Sequence, residues 1–297
     1  MSMEEKKILV LGGKTGMLGQ ALVKTGLAQG YDVATLGRED GDMTDFEFLK
    51  EKIRQVNPHC IFNAVAYTAV DNAEDDEQNA VTVNKRLPEM LAFILKDLPV
   101  YLIHYSTDFV FSGRQRNLPY TEKDSTEPLS VYGATKLAGE QALSKLDSCA
   151  VLRTAWLFGE GRKNFVSTIL KFAQERDALR VVADQFGSPT YTRDLAEMSF
   201  LIMKNHGVGL FHAVNSGQAS WCDLASEAVK LFNLPTFVEP IETKDWVQKA
   251  VRPKYSVLST QKLQQLYGYV PRPWTQALQE YIFENMETLK YDRKENV

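Results

Sequence analysis

Residues 8–19, ILVLGGKTGMLG, join a short aliphatic run to a helical pattern through a glycine-rich turn. Ile8–Leu11 predicts a buried strand, and the apolar spacing over Met17–Gln29 predicts a helix. Glycines spaced G-x-x-G-x-x-G let the chain turn tightly and let its backbone approach a pyrophosphate. The N–H groups and the positive dipole end of the helix N-terminus would bind the phosphates. The residues expected to hold a dinucleotide here are Gly13, Thr15, Gly16, Met17, Leu18 and Gly19.

Strand-like and helix-like segments alternate through the first half of the chain. Further strands are expected at Val33–Leu36, Cys60–Asn63, Leu102–Tyr105 and Ala150–Arg153, and helices are expected at Asn79–Lys96 and Tyr132–Leu146. Thr44, with Glu47 three residues later, predicts a capping box that opens another helix, which ends near Val56. Pro88 predicts a kink or a break in its helix. This β-α-β-α order predicts an α/β fold with a Rossmann-type, doubly wound parallel sheet.

Beyond about Gly159 strand-like and helix-like segments alternate less regularly, and aromatic, Gly and Pro residues become frequent. The elements expected there are a helix at Thr192–Lys204, a strand at Leu210–Val214 and a helix from an N-cap at Ser220 to Phe232. We therefore expect residues 1–160 to form a dinucleotide-binding domain. Residues 161–297 are expected to form mainly a smaller C-terminal α/β substrate lobe, with some segments returning to the first domain.

The composition narrows the class of protein. The 297-residue chain has a formal net charge of −4, 44% hydrophobic residues and 24% charged residues. This balance is ordinary for a soluble globular protein and gives no basic field for nucleic acid. The apolar runs are shorter than the ~20 residues of a membrane span, and the charged N-terminus is unlike a secretory signal. Cys60, Cys149 and Cys222 lack CxxC spacing, so buried reduced thiols in a cytoplasmic protein are expected. The four histidines lack metal-ligand spacing, so no metal is expected.

The end of the second predicted strand bears on the choice of cofactor. NAD sites favour an acidic residue there, whereas this chain reads Leu36-Gly37-Arg38. Arg38 would pair with the 2′-phosphate of NADPH, and the alternative is a solvated arginine at a strand end. Asp42 and Met43 would flank the adenine or simply begin the next turn. NADPH is therefore the expected cofactor, with NADH as the alternative.

A tyrosine and a lysine lie four residues apart in Tyr132-Gly-Ala-Thr-Lys136. Residues i and i+4 share a helix face, so both side chains can address one reacting atom. A lysine ammonium beside the phenol, together with the charge of the cofactor, would lower the pKa of Tyr132 and suit it to general-acid catalysis toward a ketone. The alternative is a surface pair, because YxxxK also arises by chance.

Hydroxyl side chains follow the fourth predicted strand in the stretch Tyr105-Ser106-Thr107-Asp108. Open α/β sheets bind ligands at the carboxyl edge, so a hydroxyl there can polarise a substrate oxygen. Thr107 is the first candidate for this role and Ser106 the second, with a turn or cap hydroxyl as the alternative. The glycine turn, the hydroxyls and the YxxxK pair together predict hydride transfer from a nicotinamide cofactor to a ketone.

Eight segments extend the pattern over nearly the whole chain: GGKTGMLGQ, NAVAYTAVDNAE, YSTDFVFSG, VYGATKLAGE, RTAWLFGEGRKNF, VADQFGSPTYTRDLA, GLFHAVNSG and VRPKYSVLST. Together they resemble the dTDP-4-dehydrorhamnose reductases, within the extended short-chain dehydrogenase/reductase family. The resemblance implies Thr107, Tyr132 and Lys136 as the catalytic residues. It implies that NADPH or NADH reduces C4 of dTDP-4-dehydro-L-rhamnose to give dTDP-L-rhamnose, a sugar donor for cell-wall polysaccharide.

By the same resemblance, further residues would contact the ligands. Those beside the cofactor are Asn63, Ala64, Ala66 and Tyr67, with Tyr132 and Lys136 at the nicotinamide ribose. Those bordering the nucleotide-sugar are Ser106, Asp108, Trp156, Asn164, Phe165, Gln185, Pro189, Thr190 and Arg252. Arg252 is the candidate for the diphosphate, because a planar guanidinium suits paired phosphate oxygens. The alternatives are core aromatics at Trp156 and Phe165, a loop-capping Arg252 and a structural turn at Tyr67 and Asp71.

Two other functions fit the same motifs. One is another nucleotide-sugar 4-ketoreductase or an epimerase. A dehydratase is disfavoured, because Phe109 and not a second carboxylate follows Thr107-Asp108. The other is a non-catalytic NADP-binding regulatory subunit resembling the β chain of methionine adenosyltransferase, although the complete C-terminal segments favour an enzyme. Ala21 stands where some relatives carry an acidic residue of a metal-bridged dimer, so a homodimer stays open and a bridging metal is not expected.

Overall fold

The computed structural model describes residues 7–113 and 118–290. The strands are β1 (Lys7–Leu11), β2 (Asp32–Leu36), β3 (Cys60–Asn63), β4 (Tyr101–Thr107), β5 (Cys149–Thr154), β6 (Leu157–Phe158), β7 (Ala178–Val182), β8 (Phe186–Gly187), β9 (Thr190–Tyr191), β10 (Gly209–His212), β11 (Ala219–Ser220) and β12 (Phe237–Ile241). The helices are α1 (Met17–Ala28), α2 (Phe46–Val56), α3 (Val70–Ala73), α4 (Glu77–Val81), α5 (Leu87–Leu95), α6 (Val131–Leu143), α7 (Phe165–Ala173), α8 (Thr192–Lys204), α9 (Trp221–Leu231), α10 (Gln261–Tyr267), α11 (Trp274–Glu284) and α12 (Met286–Leu289).

Six strands form one parallel sheet in the order β10-β5-β4-β3-β1-β2. Helices make the crossovers between the first five strands, as parallel pairing requires. The chain adds β2 on one side of β1 and then β3, β4 and β5 on the other. The succession of strands therefore reverses between β1 and β3, where open α/β sheets form their ligand crevice.

Helices cover both faces of this sheet. Successive residues of a strand point to opposite faces, so Val10 packs in one core cluster with Phe200 of α8. Leu9 packs in the other, with Leu49 of α2 and Leu91 of α5. All five of these side chains are buried, with at most 1% of their surface exposed. The predicted doubly wound α/β fold is confirmed.

Segments from the second half of the chain also reach the central sheet. β10 pairs with β5 as its edge strand, and α8 packs against α1. Elsewhere in that half, β7 pairs with β12, and α7, α9 and α11 share a separate apolar core. The division into residues 1–160 and 161–297 stays a proposal.

The start of α2 differs from the predicted capping box. Asp45 is the N-cap, and its carboxylate accepts a hydrogen bond from Phe48 N at 2.8 Å. Thr44 instead donates its hydroxyl to Asp42 Oδ1 at 2.6 Å. The prediction of Thr44 as the cap is wrong, because the neighbouring aspartate also has a side-chain acceptor and the Thr44 hydroxyl is held by Asp42.

The predicted break near Pro88 is confirmed. A π-helical stretch, Thr82–Arg86, separates α4 from α5, and Pro88 lies in the first turn of α5. Proline has no N–H, so the carbonyl of Asn84 four residues earlier loses its usual helical partner. Gly139 of α6 packs against this carbonyl, where a Cβ would lie 2.3 Å from the oxygen. The break thus lets two helices approach closely.

In the parts of the chain that the structure describes, no helix is long and apolar enough to cross a membrane. Across the same residues, no three His, Cys, Asp or Glu side chains are grouped so that they could hold a metal ion. Cys60, Cys149 and Cys222 are buried, as expected.

Gly19→Ala tests the packing of α1 on the glycine turn. A Cβ on Gly19 would lie 2.1 Å from the carbonyl oxygen of Gly12, so the backbone of the turn or of the helix must move. We expect the free energy of unfolding, measured by urea denaturation, to fall by about 2–3 kcal/mol. Gly13→Ala is the control, because the nearest atoms to its Cβ would be side-chain atoms of Thr35 at 2.8 Å and Val10 at 3.1 Å and not a backbone carbonyl, and it should cost less. Equal losses in the two variants would contradict this packing.

Candidate active site

The carboxyl end of β4 carries the first candidate group. All seven residues of this strand are buried, and its last residue is Thr107. The Thr107 hydroxyl donates to Asp108 Oδ1 at 3.0 Å and accepts from Phe109 N at 3.2 Å. Ser256 donates to Asp108 Oδ2 at 2.5 Å. Burial raises the pKa of Asp108 to about 6, against the lowering effect of the Ser256 and Thr107 hydrogen bonds. Both Asp108 oxygens are therefore engaged by protein hydroxyls.

α6 brings Tyr132 to the same place. Ser130 caps this helix by accepting from Gly133 N at 3.2 Å, and Glu74 accepts from Val131 N at 2.9 Å. A Cβ on Gly133 would lie 2.3 Å from the carbonyl oxygen of Phe109, so only glycine permits this approach. The first turn of α6 therefore lies against the turn that follows Thr107, and the Tyr132 and Phe109 rings meet edge to face.

The pKa of Tyr132 is raised to about 12. Burial is the largest cause; a hydrogen bond with Thr107 lowers the pKa, and the charge of Asp108 raises it. Lys136 is directed at a backbone carbonyl of β4, and the expected lowering of this pKa by the lysine together with bound cofactor stays a prediction. A phenol with this pKa stays protonated near neutral pH, so in the protein alone Tyr132 keeps the proton that a general acid must carry.

Lys136 is buried, with 2% of its surface exposed. Its Nζ donates to the carbonyl oxygen of Tyr105 at 2.6 Å and lies 3.5 Å from His104 Nε2. Burial lowers the pKa of Lys136 to about 8, while Glu140 one turn later raises it. The pKa of His104 lies well below its ordinary value, first because of burial and then because of Lys136. Asn63 Nδ2 lies 3.0 Å from His104 Nδ1, so this predicted cofactor residue turns its amide into the protein.

The glycine turn has the geometry of an anion cradle. Gly12 takes a φ of +81°, and Gly16 is the N-cap of α1. Within the described ranges no side chain caps α1, and its first turn contains no acidic residue. Its leading N–H groups are thus available to a phosphate. Of the other predicted residues here, Gly13, Leu18 and Gly19 are buried, Met17 is half-buried and Thr15 is exposed.

Arg38 lies exposed just after β2, at the start of a short 3-10 turn. The acidic residues of this turn are already paired: Lys14 bonds Asp40 at 2.7 Å and lies 3.5 Å from Glu39. Among the residues that the structure describes, Arg38 itself has no ion-pair partner. Its guanidinium is therefore available to an anion at the end of β2.

The remaining residues predicted near the adenine are held by the protein. Asp42 Oδ1 accepts from Thr44 N at 2.8 Å, which lowers the pKa of Asp42 together with the Thr44 hydroxyl bond. The Met43 side chain is buried in the core beside Leu36. Ala64 and Ala66 are half-buried in the loop after β3.

Asn84 organises the loop after β3, and sequence reasoning missed it. Its Oδ1 accepts from Tyr67 N at 2.9 Å, and its Nδ2 donates to Tyr67 O at 3.1 Å and to Thr135 Oγ1 at 3.2 Å. The Tyr67 hydroxyl donates to Asp76. The available sequence signal was an amide residue four positions before Pro88, in a helix that was predicted to break there. Asn84 fixes the backbone of this loop against the helix that carries Tyr132.

An aromatic cluster gathers three of the predicted substrate residues. Trp156, with a φ of +49°, stacks on Trp221 at a centroid distance of 3.5 Å. Phe165 packs on the same Trp221 ring at 4.7 Å. Gln185 accepts from Trp221 Nε1 at 3.2 Å and donates to Thr243. Trp221, which no sequence pattern singled out, therefore holds these three residues together.

Three other predicted substrate residues make structural contacts. Asn164 caps α7, accepting from Ser167 N at 3.1 Å and donating to Gly159 O at 2.9 Å. Pro189 and Thr190 are buried, and the Thr190 hydroxyl donates to Ser188 O at 3.0 Å. Their contact with a substrate stays a prediction.

Two buried hydroxyls at the carboxyl edge of the sheet fit a ligand. Ser106 Oγ and Thr154 Oγ1 have no hydrogen-bond partner within residues 7–113 and 118–290. Thr107 pairs with Thr154 in the register of β4 and β5, so Ser106, one residue before Thr107, and Thr154 point to opposite faces of the sheet at this edge. Buried hydroxyls are normally bonded, and an exception at a sheet edge points to an absent partner. The residues present therefore fit a dinucleotide and a polar substrate at this edge.

The sheet order, the glycine turn and the Thr107–Tyr132–Lys136 arrangement define a Rossmann-type α/β protein with its polar groups at the carboxyl edge. A model of the family described as RmlD substrate binding domain matches residues 6–287. A Streptomyces antibioticus relative, "Probable dTDP-4,6-dihydroxy-2-methyloxan-3-one 4-ketoreductase", is 41% identical, over 91% of this chain and 93% of the relative. Escherichia coli (strain K12) dTDP-4-dehydrorhamnose reductase is 35% identical, over 94% of this chain and 98% of the relative.

A solved structure shows the same architecture. Bacillus anthracis dTDP-4-dehydrorhamnose reductase in complex with NADP has a TM-score of 0.90 and 32% identity, covering 94% of this chain and 99% of that chain. The chain belongs to the RmlD substrate binding domain family, which is the family of the dTDP-4-dehydrorhamnose reductases. The resemblance seen in the sequence is confirmed.

The pKa of Lys136 predicts a pH dependence for any reaction at this site. Burial lowers this pKa to about 8, and the protonated form is the one that holds α6 to β4 and offers a charge. We expect kcat/KM for ketone reduction to be constant near pH 7 and to fall as the pH rises through about 8. Stopped-flow oxidation of NADPH from pH 7 to 10, with cofactor affinity measured at each pH, checks this. A rate that increases over this range would contradict the assignment.

Proposed function

We propose that this chain is an NADPH-dependent reductase of a dTDP-4-keto-6-deoxy sugar, with dTDP-4-dehydro-L-rhamnose as the first candidate substrate. The observation that carries the proposal is the packing of the first turn of α6, which holds Tyr132, against the turn that follows Thr107, with Lys136 buried one helical turn further on. Tyr132 keeps its proton, and Lys136 supplies a buried cation. This is the donor set that reduction of a ketone needs, because negative charge develops on the carbonyl oxygen.

The residues of this chain would have the following roles in the reaction. Bound NADPH supplies hydride to the carbonyl carbon of the sugar. Tyr132 donates its proton to the ketone oxygen, and Thr107, the last residue of β4, is the second hydroxyl proposed to face that oxygen. Lys136 lies one turn after Tyr132, where its ammonium stabilises the phenolate left by proton transfer and can hold the nicotinamide ribose.

The proposed cofactor site joins the glycine turn to Arg38. The uncapped N-terminus of α1 would bind the pyrophosphate, and the unpaired Arg38 guanidinium would bind the 2′-phosphate. NADPH is therefore the proposed cofactor, with NADH as the alternative. The Trp156 cluster and Arg252 are proposed to border the sugar and the diphosphate. A cytoplasmic location is proposed from the three buried thiols.

A second 4-keto sugar is a specific alternative, because the Streptomyces antibioticus relative is named as a ketoreductase of a different dTDP-sugar and is 41% identical. The two are separated by kcat/KM for dTDP-4-dehydro-L-rhamnose and for the dTDP-linked 4,6-dihydroxy-2-methyloxan-3-one that this name gives, measured side by side as loss of NADPH absorbance. A clear preference for the second sugar would replace the first candidate. If neither sugar causes oxidation of NADPH, the proposed substrate class is wrong.

Tyr132→Phe tests the assignment of the proton donor. Removing the hydroxyl should lower kcat by ~10²–10⁴-fold, the usual range for a positioned acid, while NADPH affinity changes little. Tyr31→Phe is the matched control, because Tyr31 lies in the apolar core before β2, at the opposite edge of the sheet. A Tyr132→Phe enzyme that turns over at the rate of the control would exclude Tyr132 as the acid.

Arg38→Ala tests the choice of cofactor. The variant should bind NADPH roughly tenfold or more weakly, because a charge-assisted contact to the 2′-phosphate is lost. NADH lacks that phosphate, so its affinity should change little. Arg54→Ala, which removes an exposed arginine paired with Glu51 on α2, is the control. Fluorescence titrations with both cofactors give the comparison, and equal losses for NADPH and NADH would show that Arg38 does not bind the phosphate.

A further inference from the structure

Asp71 holds a distant loop by four hydrogen bonds. Its Oδ1 accepts from the backbone N–H groups of Lys249 at 3.1 Å and Ala250 at 2.9 Å, and from Arg252 Nη1 at 3.1 Å. Its Oδ2 accepts from Arg252 Nη2 at 2.7 Å. Asp71 lies on α3, in the connection that follows β3, and Arg252 lies 181 residues further along the chain. One carboxylate therefore fixes both the backbone of this loop and its guanidinium.

The contact leaves one edge of the guanidinium available. A guanidinium carries five N–H donors in one plane, and Asp71 takes the edge formed by Nη1 and Nη2. The carbonyl oxygen of Ala250 lies 3.4 Å from Nη1 on the other side of that nitrogen. Within the described parts of the chain, Arg252 Nε has no hydrogen-bond partner. The Nε–Nη2 edge thus keeps two parallel donors, the pattern that paired phosphate oxygens accept.

The loop that carries Arg252 lies beside the candidate catalytic strand. Pro253 packs on Gly113, just after β4, where a Cβ on the glycine would lie 2.4 Å from Pro253 Cβ. Ser256 donates to Asp108, the residue after Thr107. The Arg252 side chain is 19% exposed, so it is accessible and yet largely enclosed. The loop therefore presents a fixed cation at the carboxyl edge of the sheet.

We infer that Asp71 is a positioning residue for substrate binding: it orients Arg252 so that the Nε–Nη2 edge binds the diphosphate of the nucleotide-sugar. The inference rests on the proposed function, since it assumes a nucleoside diphosphate ligand. Asp71 acts as an anion, because the hydrogen bond from Arg252, ahead of those from the loop backbone, lowers the pKa of its carboxyl group. Its side chain is 42% exposed, so solvent screens its repulsion of the ligand, whereas the two-point contact still fixes the guanidinium plane.

Asp71→Asn separates orientation from simple charge. Asparagine keeps an acceptor for the backbone of Ala250 but breaks the two-point contact with Arg252. We expect Kd for dTDP, measured by calorimetry, and KM for the sugar nucleotide to rise by about tenfold, with kcat and NADPH affinity nearly unchanged. Asp75→Asn is the matched control, because Asp75 pairs only with the exposed Lys249 side chain on the same loop. The control should bind dTDP like the parent protein.

A double variant distinguishes a loss of guanidinium orientation from a general loss of folding. In an Arg252→Gln background, Asp71→Asn should cause no further loss of dTDP affinity, because its effect passes through the guanidinium. Additive losses, or tighter dTDP binding in Asp71→Asn alone, would overturn the inference, the latter by showing that Asp71 competes with the diphosphate. Because dTDP binding needs no turnover, a parent protein that binds dTDP but reduces no sugar would refute the proposed reaction and leave the role of Asp71 supported.

Discussion

A buried ammonium joins the two elements that carry the candidate catalytic residues. Burying a lysine costs several kcal/mol unless its donors are satisfied. Here the Lys136 Nζ donates to the carbonyl oxygen of Tyr105, a neutral His104 lies beside it, and Glu140 adds a favourable charge one turn away. The contact fixes α6 on β4. Thr107 lies two residues beyond Tyr105, and Tyr132 lies one turn before Lys136. The hydrogen bond between Lys136 and Tyr105 therefore determines where Tyr132 lies relative to Thr107.

The same face of the helix is secured one turn further on by an ion pair. Glu140 accepts from Arg153 Nε at 2.9 Å and Nη2 at 2.7 Å, and both side chains are buried. α6 is therefore tied to β4 through Lys136 and to β5 through Arg153. A paired geometry of this kind is the condition under which buried charges are tolerated, and it leaves the helix little freedom to shift. The candidate catalytic group is thus preorganised by buried polar contacts, and the loops around it are joined by Asn84, Glu74 and Asp108.

The features that were predicted correctly from the sequence are those that depend on residues close together in the chain. The glycine turn, the strands of the central sheet and the Ser220 cap depend on neighbours in the chain, and the structure places them within a few residues of their expected bounds. Contacts between residues far apart in the sequence were harder to predict. The bond between Asn84 and Tyr67 and the stacking of Trp156 on Trp221 join residues that no spacing relates. The Lys136 ammonium was expected beside the phenol, but in the structure it donates to the buried carbonyl of Tyr105, and burial of the phenol raises the pKa of Tyr132.

The central claim is that this site transfers hydride to the C4 ketone of a dTDP-sugar while Tyr132 protonates the oxygen. The most direct measurement follows the hydrogen itself. Purified protein is incubated with dTDP-4-dehydro-L-rhamnose and NADPH deuterated at nicotinamide C4, on the face from which transfer occurs, and the product is examined by NMR. The account predicts one deuterium on C4 of the sugar, with the new hydroxyl hydrogen drawn from solvent. A 4-hydroxy product without deuterium at C4, or tight NADPH binding with no product, would contradict it.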